Sequence, residues 1–164
     1  MIKLTEELIK ELDAETAATR KCLERIPVDL FGWKPHEKSM ELGYLAILVA
    51  DMPRWITYMI ELSVIDLAAY KPFQPKSSAE LANYFDENVK GAKKSLQNTA
   101  EEELSQNFYL KNKDQVLYTS PKGDSIGSTI NHMVHHRGQL TVYMRLNNIP
   151  VPSIYGPSAD DRSF

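Results

Sequence analysis

The chain is poor in the residues that most often anchor a functional assignment. It has one cysteine, Cys22, and four histidines among 164 residues. A single cysteine excludes an intrachain disulfide, so a reducing, cytoplasmic home is expected. Cys22 falls on the apolar stripe of the first predicted helix and reads as a small buried hydrophobe. No run approaches the ~20 apolar residues of a membrane span. The opening stretch MIKLTEELIKELDAE lacks the apolar core of a signal peptide. No sign of charge dominates either: 19 Lys and Arg stand against 22 Asp and Glu, a net charge of −3. Phosphate binding needs clustered bases. The basic runs at Lys90–Lys94 and Lys111–Lys113 are short and interrupted. Neither a nucleic-acid nor a membrane partner is expected.

What is present is the balance of an ordinary globular domain, 43% apolar and 25% charged. The length suits one domain over residues 1–164. Leu4, Leu8, Leu12, Thr19, Leu23 and Ile26 recur at steps of three and four, which predicts a helix over 4–26, stopped by Pro27. VDLFGWKPHEKSM is a connector. A second helix is expected from Ser39 to Leu67, kinked between Val49 and Pro53. Ser77-Ser78-Ala79-Glu80 reads as a capping box opening a third helix through Leu96. Residues 105–122 are irregular, and a short hairpin or extended flap fits them. Asp124 or Ser125 is expected to cap a fourth helix running to Leu146. The tail NNIPVPSIYGPSADDRSF, with three prolines, is expected to lie extended. The predicted architecture is all-α: a four-helix bundle with a flap between helices 3 and 4 and an extended tail.

The chemistry gathers in the fourth helix. At about 100° per residue, Ile130, Met133, Leu140 and Met144 share its apolar face. His132, His136, Gln139 and Tyr143 form an adjoining stripe. His132 and His136 are one turn apart, so their rings can converge on one divalent ion, or simply be satisfied by hydrogen bonds. His135 points away from that pair. A catalytic metal site needs three protein ligands. The second helix offers only Asp51, off the edge of its apolar face. In the first, Glu15, Thr16 and Thr19 fall on the apolar stripe, where an unpartnered carboxylate is costly. Glu15 can ligate a metal, act as a base, or pair with Arg137 on the core face of the fourth helix. The ion pair is the favoured reading.

Three stretches carry a resemblance: RIPVDLFGWKPHEKSMELGYLA (Arg25–Ala46), VADMPRW (Val49–Trp55) and NHMVHHRGQLTVYMRLNNIPVPSIYGPSADD (Asn131–Asp161). In them the chain resembles the DinB family of damage-inducible, DinB/YfiT-like proteins. The resemblance implies a four-helix bundle, often a homodimer, with zinc or nickel held by three histidines. Two of these match His132 and His136. The third belongs to a helix-2 pattern and falls at Leu48, which has no donor atom. His36 matches a connector residue that is not a ligand. Glu15 and Asp51 are the candidates to compensate, as ligands or behind the ligands. Leu48, Gln139, Tyr143 and Thr19 are expected to line the pocket.

Two functional expectations follow from that resemblance. One is a metal-dependent enzyme of the thiol S-transferase or hydrolase class, acting on a small-molecule thiol or other substrate, with an incomplete three-histidine site. The other is a non-catalytic dimeric bundle that has lost its metal and binds a small ligand or a protein partner. An apolar excess around Trp55, Tyr58 and Met59 suits a dimer contact or simply a core.

Overall fold

The computed structural model describes residues 3–163. Four helices form the body: α1 (Leu4–Leu23), α2 (Leu42–Glu61), α3 (Ser78–Gln97) and α4 (Lys122–Leu146). Both α1 and α2 pack chiefly against α3 and α4 and barely touch one another. They therefore occupy opposite corners of the bundle, and acids on α1 and α2 meet different neighbours.

The helix boundaries differ from the sequence expectation where local backbone partners intervene. At the end of α1, Arg25 N donates to Cys22 O and Ile26 N to Leu23 O, so the last turn tightens before Pro27. The connector then doubles back. Leu42 N donates to Trp33 O at 2.7 Å and Gly43 N to Phe31 O at 2.9 Å. These carbonyls satisfy the first donors of α2, which needs no side-chain cap. Ser39, expected to start the helix, stays outside it. A Cβ on Gly43 would lie 2.4 Å from the Phe31 ring, so this contact requires glycine.

Helix α2 runs through Pro53. Pro53 has no N–H for the preceding turn, and its ring crowds that turn. The carbonyl left without an N–H is that of Val49. On the next residue, Asn88 of α3 donates from Nδ2 to Ala50 O at 2.9 Å, an extra bond that ties this turn of α2 to α3. The capping box at α3 forms with one partner displaced. Glu80 N donates to Ser77 Oγ at 3.1 Å, while Glu80 Oε2 accepts from Lys76 N at 2.8 Å.

The all-α expectation needs correction, because a three-stranded sheet closes one end of the bundle. Strand β1 (Val64–Asp66) pairs in parallel with β2 (Asn107–Asn112), and β2 pairs antiparallel with β3 (Gln115–Pro121). The predicted flap is thus a hairpin. The expected extension of helix 2 to Leu67 is replaced by a left-handed Ser63 (φ 58°) and β1. Burial explains the switch: Ile65, Leu104 and Phe108 are inserted beneath the helices and belong to the common core. Asp66 Oδ1 accepts from the backbone N–H groups of Ala68 and Lys113 at 2.9 and 3.0 Å, tying the hairpin turn to the end of β1.

Helix α4 begins at Lys122, directly after β3, rather than after Asp124 or Ser125. Lys122 N donates to Gln106 O at 2.8 Å, so the residue just before β2 supplies a partner for the first N–H of the helix. The buried Lys122 Nζ donates to Ile60 O near the end of α2. At its other end α4 stops with Asn148 left-handed (φ 56°) and Ile149 N donating to Met144 O at 2.9 Å. The irregular tail folds back over α1 and α4. Asp160 pairs with Arg145 at 2.6 Å and accepts from Val151 N, and Asp161 accepts from Ser153 N. No helix among the described residues is long and apolar enough to cross a membrane.

Candidate functional site

The histidine stripe forms as its spacing predicts. The His132 and His136 ring centroids are 4.4 Å apart, tilted by 41°. His136 is buried and His132 exposed. His136 Nδ1 and Gln139 Oε1 are 2.7 Å apart, which fixes the His136 ring through its Nδ1 side. Partial loss of solvent at the helix surface, and then the neighbouring His136 and His135, hold the His132 imidazole below its ordinary range. His135 also comes near, its ring 5.2 Å from that of His136. Tyr143 packs edge-on against Trp33 of the connector, with centroids 5.5 Å apart.

The two acids proposed to compensate for Leu48 are engaged elsewhere. Glu15 lies on the α1–α4 seam, where its Oε2 accepts from Arg137 Nη2 at 2.7 Å and from the Tyr155 hydroxyl at 2.9 Å. Arg137, 1% exposed, also donates to Thr19 Oγ1, the Glu15 carbonyl and the Tyr155 oxygen. Thr19 is fully buried beneath it. The expected Glu15–Arg137 pair is present, and the tail contributes Tyr155 as a third member.

Asp51 lies on the α2–α3 seam and is 2% exposed. The Tyr84 hydroxyl donates to its Oδ1 in a short hydrogen bond. Tyr84 in turn accepts from Arg54 Nη1 at 3.0 Å, and Trp55 Nε1 donates to the Tyr70 hydroxyl at 3.1 Å. Burial pushes the Asp51 carboxyl above the usual carboxylate range, against the opposing pull of Tyr84, Tyr70 and Arg54. Burial and the Asp51 charge likewise push the Tyr70 phenol up.

Among the described residues, no three His, Cys, Asp or Glu side chains gather into a metal-binding group. The donor set follows directly: two imidazoles one turn apart, a leucine at position 48, and two carboxyls committed to other partners. These residues do not complete a three-ligand site for zinc or nickel.

Leu48 and Asp51 instead line a cleft of about 600 Å³ beside α2. Its walls include Phe31 from the connector, Tyr44, Ile47 and Trp55 from α2, and Tyr70 from the β1–α3 linker. Neither His132 nor His136 is part of this lining. Of the residues expected to line a pocket, Leu48 does so here. Gln139 holds His136, Tyr143 packs on Trp33, and Thr19 supports Arg137. The sequence reading passed over the cleft's aromatic wall. Tyr44, Leu48, Asp51 and Trp55 do share helical spacing, but Phe31 and Tyr70 come from segments with no periodicity.

A four-helix bundle carrying an HxxxH pair on its last helix is the class defined by fold and site. The DinB family model matches residues 1–162, and the chain belongs to the DinB family. It is 23% identical to the uncharacterized protein YrdA of Bacillus subtilis strain 168, over 98% of this chain and 93% of that one. Among solved structures, the fold is similar to the DinB-like protein YjoA of Bacillus subtilis. That match has a TM-score of 0.69 and 18% identity, over 95% of this chain and 99% of that one. A DinB-like protein of Bacillus cereus ATCC 10987 is similar at TM-score 0.69 and 22% identity, over 92% and 97% of the two chains.

Proposed function

We propose that this protein is a DinB-family bundle that binds a small organic molecule in the α2 cleft and no longer depends on the metal that the family resemblance implies. The observation carrying this reading is the position of Leu48. A residue with no donor atom stands where the third ligand is expected, and it belongs to the wall of a cleft of about 600 Å³. Clefts of ~300–1,000 Å³ with apolar walls and few polar groups are the usual form of small-molecule sites. The cleft has that composition, with Asp51 as its buried polar group. In this reading the protein acts as a homodimer in the cytoplasm, where its one thiol stays reduced.

A second reading is favoured by the His136–Gln139 contact. A fixed imidazole beside a second one is half of a metal site, as in proteins where the far ring nitrogen orients a ligand. On that reading the protein is a metal-dependent transferase or hydrolase. A zinc or nickel ion would be held by His132 and His136 and would supply activation of a thiol or water.

Metal content of protein purified without chelator or affinity tag separates the two, with Leu48→His alongside. The first reading expects wild type to be empty and Leu48→His to take up about one ion per chain. A stoichiometric metal in wild type that is lost in His132→Ala and His136→Ala would overturn it in favour of the second.

A further inference from the structure

We propose that the α2 cleft selects an organic cation, an amine or quaternary ammonium with a small apolar body, held by Asp51 among the rings of Phe31, Tyr44, Trp55 and Tyr70. This inference rests on the preceding reading of the cleft as a ligand site and adds the chemistry of the ligand.

The lining residues set the sign of the charge. Two of them are acids, Asp51 and Glu41, and none is Lys, Arg or His. Glu41 is exposed at the rim and Asp51 is buried in the wall. An anion entering this space would lose its water and gain no positive partner. A cation meets a carboxyl and four aromatic side chains, whose electron-rich faces attract positive charge, most strongly where water is excluded.

One of these rings, Tyr70, already borders a cation, together with Tyr58 and Tyr84 outside the cleft. The Arg54 guanidinium lies 5.0 Å from the centre of the Tyr58 ring and 5.4 Å from that of Tyr70, and Nη1 donates to Tyr84. Tyr70 therefore serves both the Arg54 cage and the cleft lining. Arg54 itself is not part of that lining. Its charge is spread over two rings and a hydroxyl instead of forming an ion pair with Asp51. The Asp51 carboxyl thus has phenol donors and the through-space pull of Arg54, and among the described residues it forms no close ion pair. Burial raises the cost of its charged form, and a bound ammonium would offset that cost.

The test uses the full chain and three probes of similar size: benzyltrimethylammonium, benzyl alcohol and phenylacetate. Titrations are followed by the tryptophan indole N–H resonances in two-dimensional NMR. The Trp55 signal is the reporter, because Trp55 lines the cleft and Trp33 does not. The cation is expected to move Trp55, to leave Trp33 in place, and to bind roughly tenfold more tightly than either other probe. Asp51→Asn should remove roughly that tenfold preference and leave benzyl alcohol within about twofold. Tyr44→Ala, at an exposed position that does not threaten folding, should also weaken the cation more than the alcohol.

If benzyl alcohol or phenylacetate binds as well as the cation, the charge inference is overturned and the ligand cleft stands. Unchanged cation preference in both Asp51→Asn and Tyr44→Ala overturns it equally. If no probe moves Trp55 in folded protein, the inference and the ligand-cleft reading fall together.

Discussion

Glu15 and Asp51 are two acids on two helices, both largely withdrawn from water, and their surroundings differ sharply. Glu15 meets a guanidinium that is itself buried, with Tyr155 closing the pair from the tail. Asp51 meets phenols, and Arg54 acts on it through space and shares Tyr84 with it without a close ion pair. The first arrangement neutralises charge by pairing. The second raises the cost of the charged form and leaves a carboxyl that favours an incoming counter-ion. The difference teaches that a carboxylate on an apolar stripe announces a partner and says nothing about its kind. Here the α1–α4 seam is a structural clasp, and the α2–α3 seam borders a cleft.

The largest effect expected from breaking this contrast is at Arg137. Arg137→Met leaves the half-buried Glu15 with only the Tyr155 hydroxyl as partner and should cost about 2–4 kcal/mol in urea denaturation. Arg137→Met with Glu15→Leu should recover most of that loss, since replacing both members of a buried pair is often nearly neutral. A double variant as unstable as the single one would mean that the clasp contributes net stability. Next is the end wall of the cleft. Gly43→Ala drives a methyl group into the Phe31 ring and should cost about 1–3 kcal/mol, read in the same way. Because Phe31 lines the cleft, this variant should also perturb Trp55 more than Trp33 in NMR spectra.

A smaller effect separates the two acids by pH. The folded-state value of Asp51 is raised, so the folded protein holds this proton more tightly than the unfolded chain does. Its ionisation therefore subtracts stability as pH rises through the window between the unfolded value, about 3.9, and the raised folded one. Asp51→Asn removes that term. The stability of the variant relative to wild type should climb as pH increases across this window, in denaturation series from pH 3.5 to 7. A constant difference would show that Asp51 ionises without penalty. Smallest is the behaviour of Cys22. Burial pushes its thiol up to about 11, although Arg137 and Arg25 draw it down. In native protein at pH 8 it should resist thiol reagents over hours and react at once in denaturant. Rapid native labelling would show that the α1–α4 seam opens readily.

The identity of the elements was written largely in local pattern. Leucines at helical spacing, Pro27, and the Ser77–Glu80 cap suffice to place the helical body, and they do so because helix faces bury at a fixed period. The strand at Val64–Asp66 was not legible in that way. Three residues carry no periodicity, and Ile65 becomes a strand residue only because β2 stands beside it. The starts of α2 and α4 were misplaced for a related reason. Their first donors are satisfied by the carbonyls of Trp33, Phe31 and Gln106, remote backbone groups that leave no signature at the cap position.

The candidate site divides along the same line. His132 and His136 are one turn apart on a single helix, so the covalent chain fixes their approach, and the absence of a donor at position 48 is a fact of sequence. Glu15 pairing with Arg137 was foreseeable as charge compensation between two apolar stripes. That Tyr155 would join them, that Asp51 would face Tyr84 instead of the histidines, and that Phe31, Trp55 and Tyr70 would wall one cleft were decided by the packing. Placing α1 and α2 at opposite corners sends their acids to different seams. Sequence periodicity specifies which face of a helix is buried. Only the tertiary arrangement specifies what that face is buried against.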